Sequence, residues 1–249
     1  QIYLDPKESF SLEDLLKAIM ISSANDAAYL VAEYFGDGDV KAFVEKMNTR
    51  AKELKFVGAK FYNPHGLGLA KTSAEDNLCS PEGCAMLAER LLEIPKAAEF
   101  ARTKTATIRE NTKKPFTLFT HNHLLGTCPG VNGMKTGFTR RSGFCITVTC
   151  QRGNRKMAAV VTGFPSTYKE RDIFVAKLIE WGYKQKPDTT SEPDMLEAGS
   201  EDKNLEDLLE NIVPKYSWLS TSGTIGNFLC ELTLKMRGCH GINASSASP

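Results

Sequence analysis

The chain has 249 residues, 41% apolar and 24% charged, enough for one ordinary globular domain with a sizeable core plus a tail. It holds no run of eighteen apolar residues that would encode a transmembrane helix. A net charge of +1, with no Lys/Arg cluster interleaved with stacking aromatics, argues against a nucleic-acid partner. The charge is uneven. Residues 185–210 carry nine acidic residues against Lys186 and Lys203, a net −7, and residues 211–249 sum to +2, which leaves about +6 on residues 1–184.

Helical signals dominate the first hundred residues. The chain opens at Gln1, in what reads as a turn before a helix, with no initiating Met and no signal peptide. It is therefore expected to be a fragment. Ser11 followed by Asp14 fits a capping box, and Leu12, Leu15, Leu16, Ile19 and Met20 follow at helical spacing. The pattern breaks at Ser22-Ser23-Ala24-Asn25-Asp26, rich in residues that favour caps. A second helix is expected from Asp26 to Phe35, stopping at Gly36, and a third from Asp39 to Leu54 with Phe43, Val44, Met47 and Ala51 on one face. Asn63-Pro64-His65-Gly66 reads as a turn, and Ser80-Pro81 opens another helix.

From Thr103 the signal changes to strands. Segments 105–109 and 116–120 are short and β-prone, while 144–150 and 156–162 are strongly so, joined through a Gly-containing hairpin loop at 151–155. A closing helix is expected from Tyr168 to Tyr183, with Ile173, Phe174, Lys177, Leu178 and Trp181 in register. Helices, then antiparallel strands, then a helix predict an α+β domain over 1–184. The acidic stretch 185–210 reads as a linker, and 211–249 as a tail whose apolar part, 211–236, suits a docking helix or a membrane-surface helix. Seven cysteines without a C-x-x-C pair argue against a zinc knuckle and read as buried free thiols.

Two short motifs carry chemistry. Ser23-Ala24-Asn25 is an S-x-N in the break between two helices, and Lys135-Thr136-Gly137 is a K-T-G at a strand edge. Each alone is weak, since S-x-N also caps helices and K-T-G also makes turns. Together, in this order, they are two of the three signatures of penicillin-interacting serine enzymes, the third being S-x-x-K. His121 and His123, at i, i+2 on a strand, could bind a metal in principle, but no third ligand stands at suitable spacing. Arg140 and Arg141 read as solvent-exposed, with a place at the rim of a cleft as the other reading.

The sequence resembles the low-molecular-mass D-alanyl-D-alanine carboxypeptidases, serine peptidases of family S11. The resemblance rests on Leu12 to Leu16, Ile21 to Ala27, Phe43-Val44, Met47-Asn48, Asn63 to Leu67, Gly133 to Thr139, Gly163, Arg171 and Trp181-Gly182-Tyr183, collinear over about residues 1–184. It implies a penicillin-binding transpeptidase fold, an antiparallel sheet flanked by helices, and acyl transfer from a peptidoglycan stem peptide ending in D-Ala-D-Ala. In that reading Ser23 relays a proton toward the leaving amine, and Asn25 holds the acyl side of the substrate. Lys135 supplies positive charge, Thr136 and Thr139 belong to the substrate-binding strand, and Gly137 permits close approach. His65 would support its turn. No cofactor or metal is implied, β-lactams would be covalent inhibitors of the intact protein, and the location would be outside the cytoplasm, with membrane association possible.

The main departure is the missing S-x-x-K nucleophile, which the family carries upstream of its S-x-N. Ser166-Thr167-Tyr168-Lys169 and Ser200-Glu201-Asp202-Lys203 have the spacing, but the first reads as a helix cap and the second lies in the acidic linker. This chain alone is therefore expected to be inactive. The alternatives are a non-catalytic wall-binding or scaffold protein and a serine β-lactamase. The latter is disfavoured by Ala24, where those enzymes prefer Asp.

Overall fold

The computed structural model describes residues 1–68 and 75–185, together with the backbone of Ile242–Asn243. The expected linker and tail therefore lie outside the described residues apart from Gln185 and that short strand, as do Ser200, Lys203, Cys230 and Cys239.

Helix α1 (Leu12–Ser22) starts where the Ser11 hydroxyl accepts the Asp14 N–H at 3.0 Å. The Asp14 carboxylate turns to the backbone N–H of Arg109 (3.4 Å). The helix ends at Ser23, a left-handed residue with φ of 56°, and α2 (Asn25–Phe35) begins after a single intervening residue. Helix α3 (Val40–Glu53) is capped by Asp39, and α4 (Pro81–Leu92) by Ser80, whose hydroxyl accepts the Gly83 N–H at 3.0 Å. The next helix, α5 (Pro95–Arg102), has no counterpart in the sequence reading. It has eight residues and starts at Ile94, which offers no capping side chain, so only Pro95 announces it.

The all-antiparallel strands follow. β2 (Thr105–Ile108) pairs with β3 (Phe116–Phe119) as a small separate sheet. The main sheet has the order β4 (Val131–Thr139), β5 (Gly143–Arg152), β6 (Arg155–Phe164), which leaves β4 at an edge. The β5–β6 ladder reaches Arg152↔Arg155, so the hairpin turn is only Gly153-Asn154, tighter than the loop expected, with Gly153 at φ 58°. Near the N-terminus, β1 (Ser9–Phe10) pairs with β7 (Ile242–Asn243).

The closing helix α6 (Tyr168–Lys184) buries Arg171, Asp172, Phe174, Val175 and Ile179. The expected register was one step off: Ile173 is 59% exposed, because the i, i+3, i+4, i+8 set built on Arg171 faces the sheet. Two apolar cores result among the described residues. One gathers α1, α2, α3 and α5 around Leu15, Ile19, Leu30, Phe43 and Met47, and the other seals β5 and β6 against α6 through Val148, Phe174, Val175 and Ile179.

Candidate active site

Folding brings the two motifs together across 112 positions of sequence. Lys135, on the edge strand β4 and 5% exposed, donates from Nζ to Ser23 Oγ at 2.8 Å and to its neighbour's carbonyl, Thr136 O, at 2.9 Å. Burial pushes the Lys135 ammonium down to about 7, and the Arg171 charge adds to that shift. Near neutral pH this amine is thus poised between its charged and neutral forms.

The S-x-N loop is held from several sides. Ser23 bonds back through its N–H to the carbonyls of Ala18 and Ile19, which closes α1. Next to it, Ser22 Oγ donates to Phe119 O (3.2 Å) and accepts the Phe119 N–H (3.1 Å), hooking the end of α1 to β3. Ala24, fully buried, anchors the start of α2, where Asn25 is the first helical residue.

A cleft of about 410 Å³ opens at this point, with Ser23, Asn25, Thr136 and Gly137 in its wall, four of the six residues expected at the site. Lys135 is buried and reaches the cleft through Ser23. Thr139 lies outside the lining. Its hydroxyl pairs with Ser142 Oγ at 2.6 Å and accepts the Ser142 N–H at 3.0 Å, closing the turn between β4 and β5.

The rest of the wall lies outside the S-x-N and K-T-G motifs. Arg171, 2% exposed, lines the cleft, donating to Cys145 O (3.0 Å) and to Asp172 Oδ1 (2.6 Å). Its signal was a polar residue on the buried face of α6. His121 and His123 also line the cleft, and they lie in the turns between β3 and β4 rather than along a strand. Burial, with Lys135 nearby, holds the His121 imidazole below its ordinary value. The His123 Nδ1 lies 3.4 Å from Asp172 Oδ2, with the ring against Tyr168 at 5.0 Å between centroids. Leu67, Phe138, Phe144 and Tyr168 complete the cleft.

Three further expectations are settled nearby. Arg140 and Arg141 are both exposed, as expected, and the Arg141 guanidinium is 2.7 Å from the buried Asp76 carboxylate. His65 sits in a polar turn: its Nδ1 accepts the Leu67 N–H, and Asn63 accepts the N–H groups of His65 and Gly66. Asn77 stitches that turn down by accepting from Tyr62 N at 2.7 Å and donating to Asn63 O at 2.9 Å. Among the described residues Cys79, Cys84, Cys128, Cys145 and Cys150 form no disulfide, and the first two are only half-buried.

The family profile described as D-alanyl-D-alanine carboxypeptidase matches residues 1–166. The chain belongs to the D-alanyl-D-alanine carboxypeptidase family. Among curated relatives it is 38% identical over 185 residues to D-alanyl-D-alanine carboxypeptidase DacF of Bacillus subtilis (strain 168), covering 74% of this chain and 46% of that protein. It is 29% identical to DacC of Escherichia coli (strain K12), covering 74% and 43%. The chain thus spans less than half the length of these curated relatives. In solved structures it resembles penicillin-binding protein D2 of Listeria monocytogenes in its ampicillin-bound form, at TM-score 0.61 and 28% identity over 70% of this chain and 68% of that one. The Streptomyces K15 DD-transpeptidase, at TM-score 0.67 and 24% identity over 74% and 72%, shows the same fold. The expected α+β transpeptidase architecture is therefore the one observed, and the S-x-N and K-T-G residues meet in one cleft.

Proposed function

We propose that the protein is a serine-type D-alanyl-D-alanine carboxypeptidase acting on peptidoglycan stem peptides outside the cytoplasm, and that these residues form the substrate-holding part of its active site. The observation that carries this reading is the 2.8 Å bond from Lys135 to Ser23 at the edge of the cleft. The reaction needs a serine oxygen to attack the carbonyl between two D-alanines, a proton delivered to the departing amine, and water to release the acyl group. Ser23 suits the delivery. Its hydroxyl accepts from Lys135, leaving its own proton to be passed to the amine, and Lys135, poised near neutrality, can resupply it. Asn25 offers amide donor and acceptor groups to the acyl side. Thr136 and the Arg171 guanidinium give the terminal carboxylate a hydroxyl donor and a positive charge, and Gly137 leaves room for the peptide against the strand edge.

Ser23 is the one serine lining the cleft among the described residues, and Ser166 is exposed in the loop before α6. In this proposal the attacking serine and its base belong to an S-x-x-K outside the 249 residues. Intact-mass measurement after incubation with benzylpenicillin tests it, on this chain and on the product of its complete gene. One adduct on the complete product, mapped to an S-x-x-K serine, with none on this chain, is expected. No adduct on either would favour the non-catalytic wall-binding reading, for which the same cleft would hold a peptide carboxylate without turning it over. Rapid turnover of nitrocefin by the complete product would favour a β-lactamase.

A further inference from the structure

Beyond the S-x-N and K-T-G residues, the cleft has an apolar side to which no role has been given. Phe138 directly follows the K-T-G, and its ring lies over that of Phe144 with centroids 4.4 Å apart and planes at 32°. The two face each other across the β4–β5 ladder, and both line the cleft. Phe138 is 53% exposed, and Leu67, another cleft residue, is 45% exposed. Large apolar side chains left open inside a cleft whose other residues are polar or charged mark a surface that a ligand covers.

Strand periodicity says which part of the ligand. Side chains two positions apart on a strand share a face, so Thr136 and Phe138 point the same way, about 7 Å apart along β4. A carboxylate held at Thr136 and Arg171 therefore places the atoms about two residues further back in an extended peptide beside Phe138. Those atoms are on the acyl side of the bond to be cut. The cleft also holds Arg171, His121 and His123, polar groups that suit a carboxylate.

We infer that Phe138 and Phe144, flanked by Leu67, form an apolar subsite that selects ligands carrying an aromatic or aliphatic side group on the acyl side. This rests on the reading of the cleft given under Proposed function. The stacked pair presents a preformed ring face, so a phenyl group docks on it with little ordering cost, and Gly137 leaves the intervening strand edge unobstructed for the ligand backbone.

Ligand-observed NMR titration of the full chain tests this with two β-lactams: benzylpenicillin, whose 6-amino group carries phenylacetyl, and 6-aminopenicillanic acid, whose 6-amino group is free. The subsite predicts that benzylpenicillin binds about tenfold more tightly. In Phe138→Ala that ratio should fall below about threefold, while the affinity for 6-aminopenicillanic acid stays as it was. Phe138→Tyr, which keeps the ring, should retain the preference. Equal affinities of the unsubstituted chain for the two compounds would overturn the subsite and leave the proposed function standing. So would a preference that survives in Phe138→Ala. Binding of neither compound would remove both readings together.

Discussion

Lys135 is the residue on which the site's chemistry and its stability meet. It is a buried lysine whose folded value lies at about 7 against an ordinary 10.5. An unfolded chain therefore holds this proton more tightly than the folded one between those values, and folding is penalised. The penalty is fully present below about pH 7 and is lost progressively as pH rises toward 10.5. Thermal melts of the chain and of Lys135→Met from pH 6.5 to 9.5 check this. The unsubstituted chain should gain stability relative to the variant across that window, and parallel curves would show that Lys135 is not desolvated as described. Ser23, Asn25, Lys135, Thr136 and Gly137 could be picked out as candidates because their residue types stand at a fixed local spacing in two short motifs. Arg171 was legible only as part of the family resemblance; its place in the cleft comes from α6 packing its buried face on the sheet, which brings it within reach of β4 only in three dimensions. Thr139, expected on the substrate-binding strand, has its hydroxyl bonded to Ser142 in the turn that follows.

At the scale of elements, the S-x-N loop depends on what its neighbours hold. Ser22 makes two hydrogen bonds to the Phe119 backbone, so Ser22→Ala should cost about 1 kcal/mol and loosen the loop beside Ser23. Denaturant unfolding gives the first quantity, and amide exchange at Ser23 and Phe119 the second. Asn77, 1% exposed, accepts from the N–H groups of Tyr62 and Asn63 and donates to Asn63 O. Removing it strands buried backbone donors, so Asn77→Ala is expected to cost about 2–3 kcal/mol, more than Ser22→Ala. An equal or smaller loss would mean that the turn carrying His65 and Leu67 is held by something else. Elements with caps or strong alternation, such as α1, α4, β5 and β6, could be read from sequence, with ends shifted by one or two residues. Helix α5 could not: eight residues without a capping side chain leave too short a period to register, and its burial against β4 and α1 sustains it.

Across the whole molecule, the site lies where the helical half meets the sheet. Ser23 and Asn25 come from the α1–α2 junction in one core, and Lys135 to Phe138 from a strand of the sheet whose other face is closed by α6. Truncations in either core should therefore disturb the site through one shared transition. Ile19→Ala and Ile179→Ala, each removing a fully buried side chain, are expected to cost about 3–4 kcal/mol and to move a single unfolding midpoint. Two transitions, each moved by only one of the substitutions, would show that the halves fold separately and that the Lys135–Ser23 link is a weak joint. The sequence pointed to the α+β class through its order of helices and strands, but not to this meeting of two cores, because no local pattern encodes which helix faces which sheet.

The proposed site recognises the free carboxylate of a peptide ending in D-Ala-D-Ala. Isothermal titration of the chain with diacetyl-L-Lys-D-Ala-D-Ala and with the same peptide amidated at its C-terminus tests it most directly. The acid should bind, and amidation or Arg171→Gln should each weaken that binding at least tenfold, since both remove one side of a charge-assisted contact in a desolvated site. Equal binding of acid and amide, or full retention of the acid's affinity in Arg171→Gln, would contradict the assignment of this cleft.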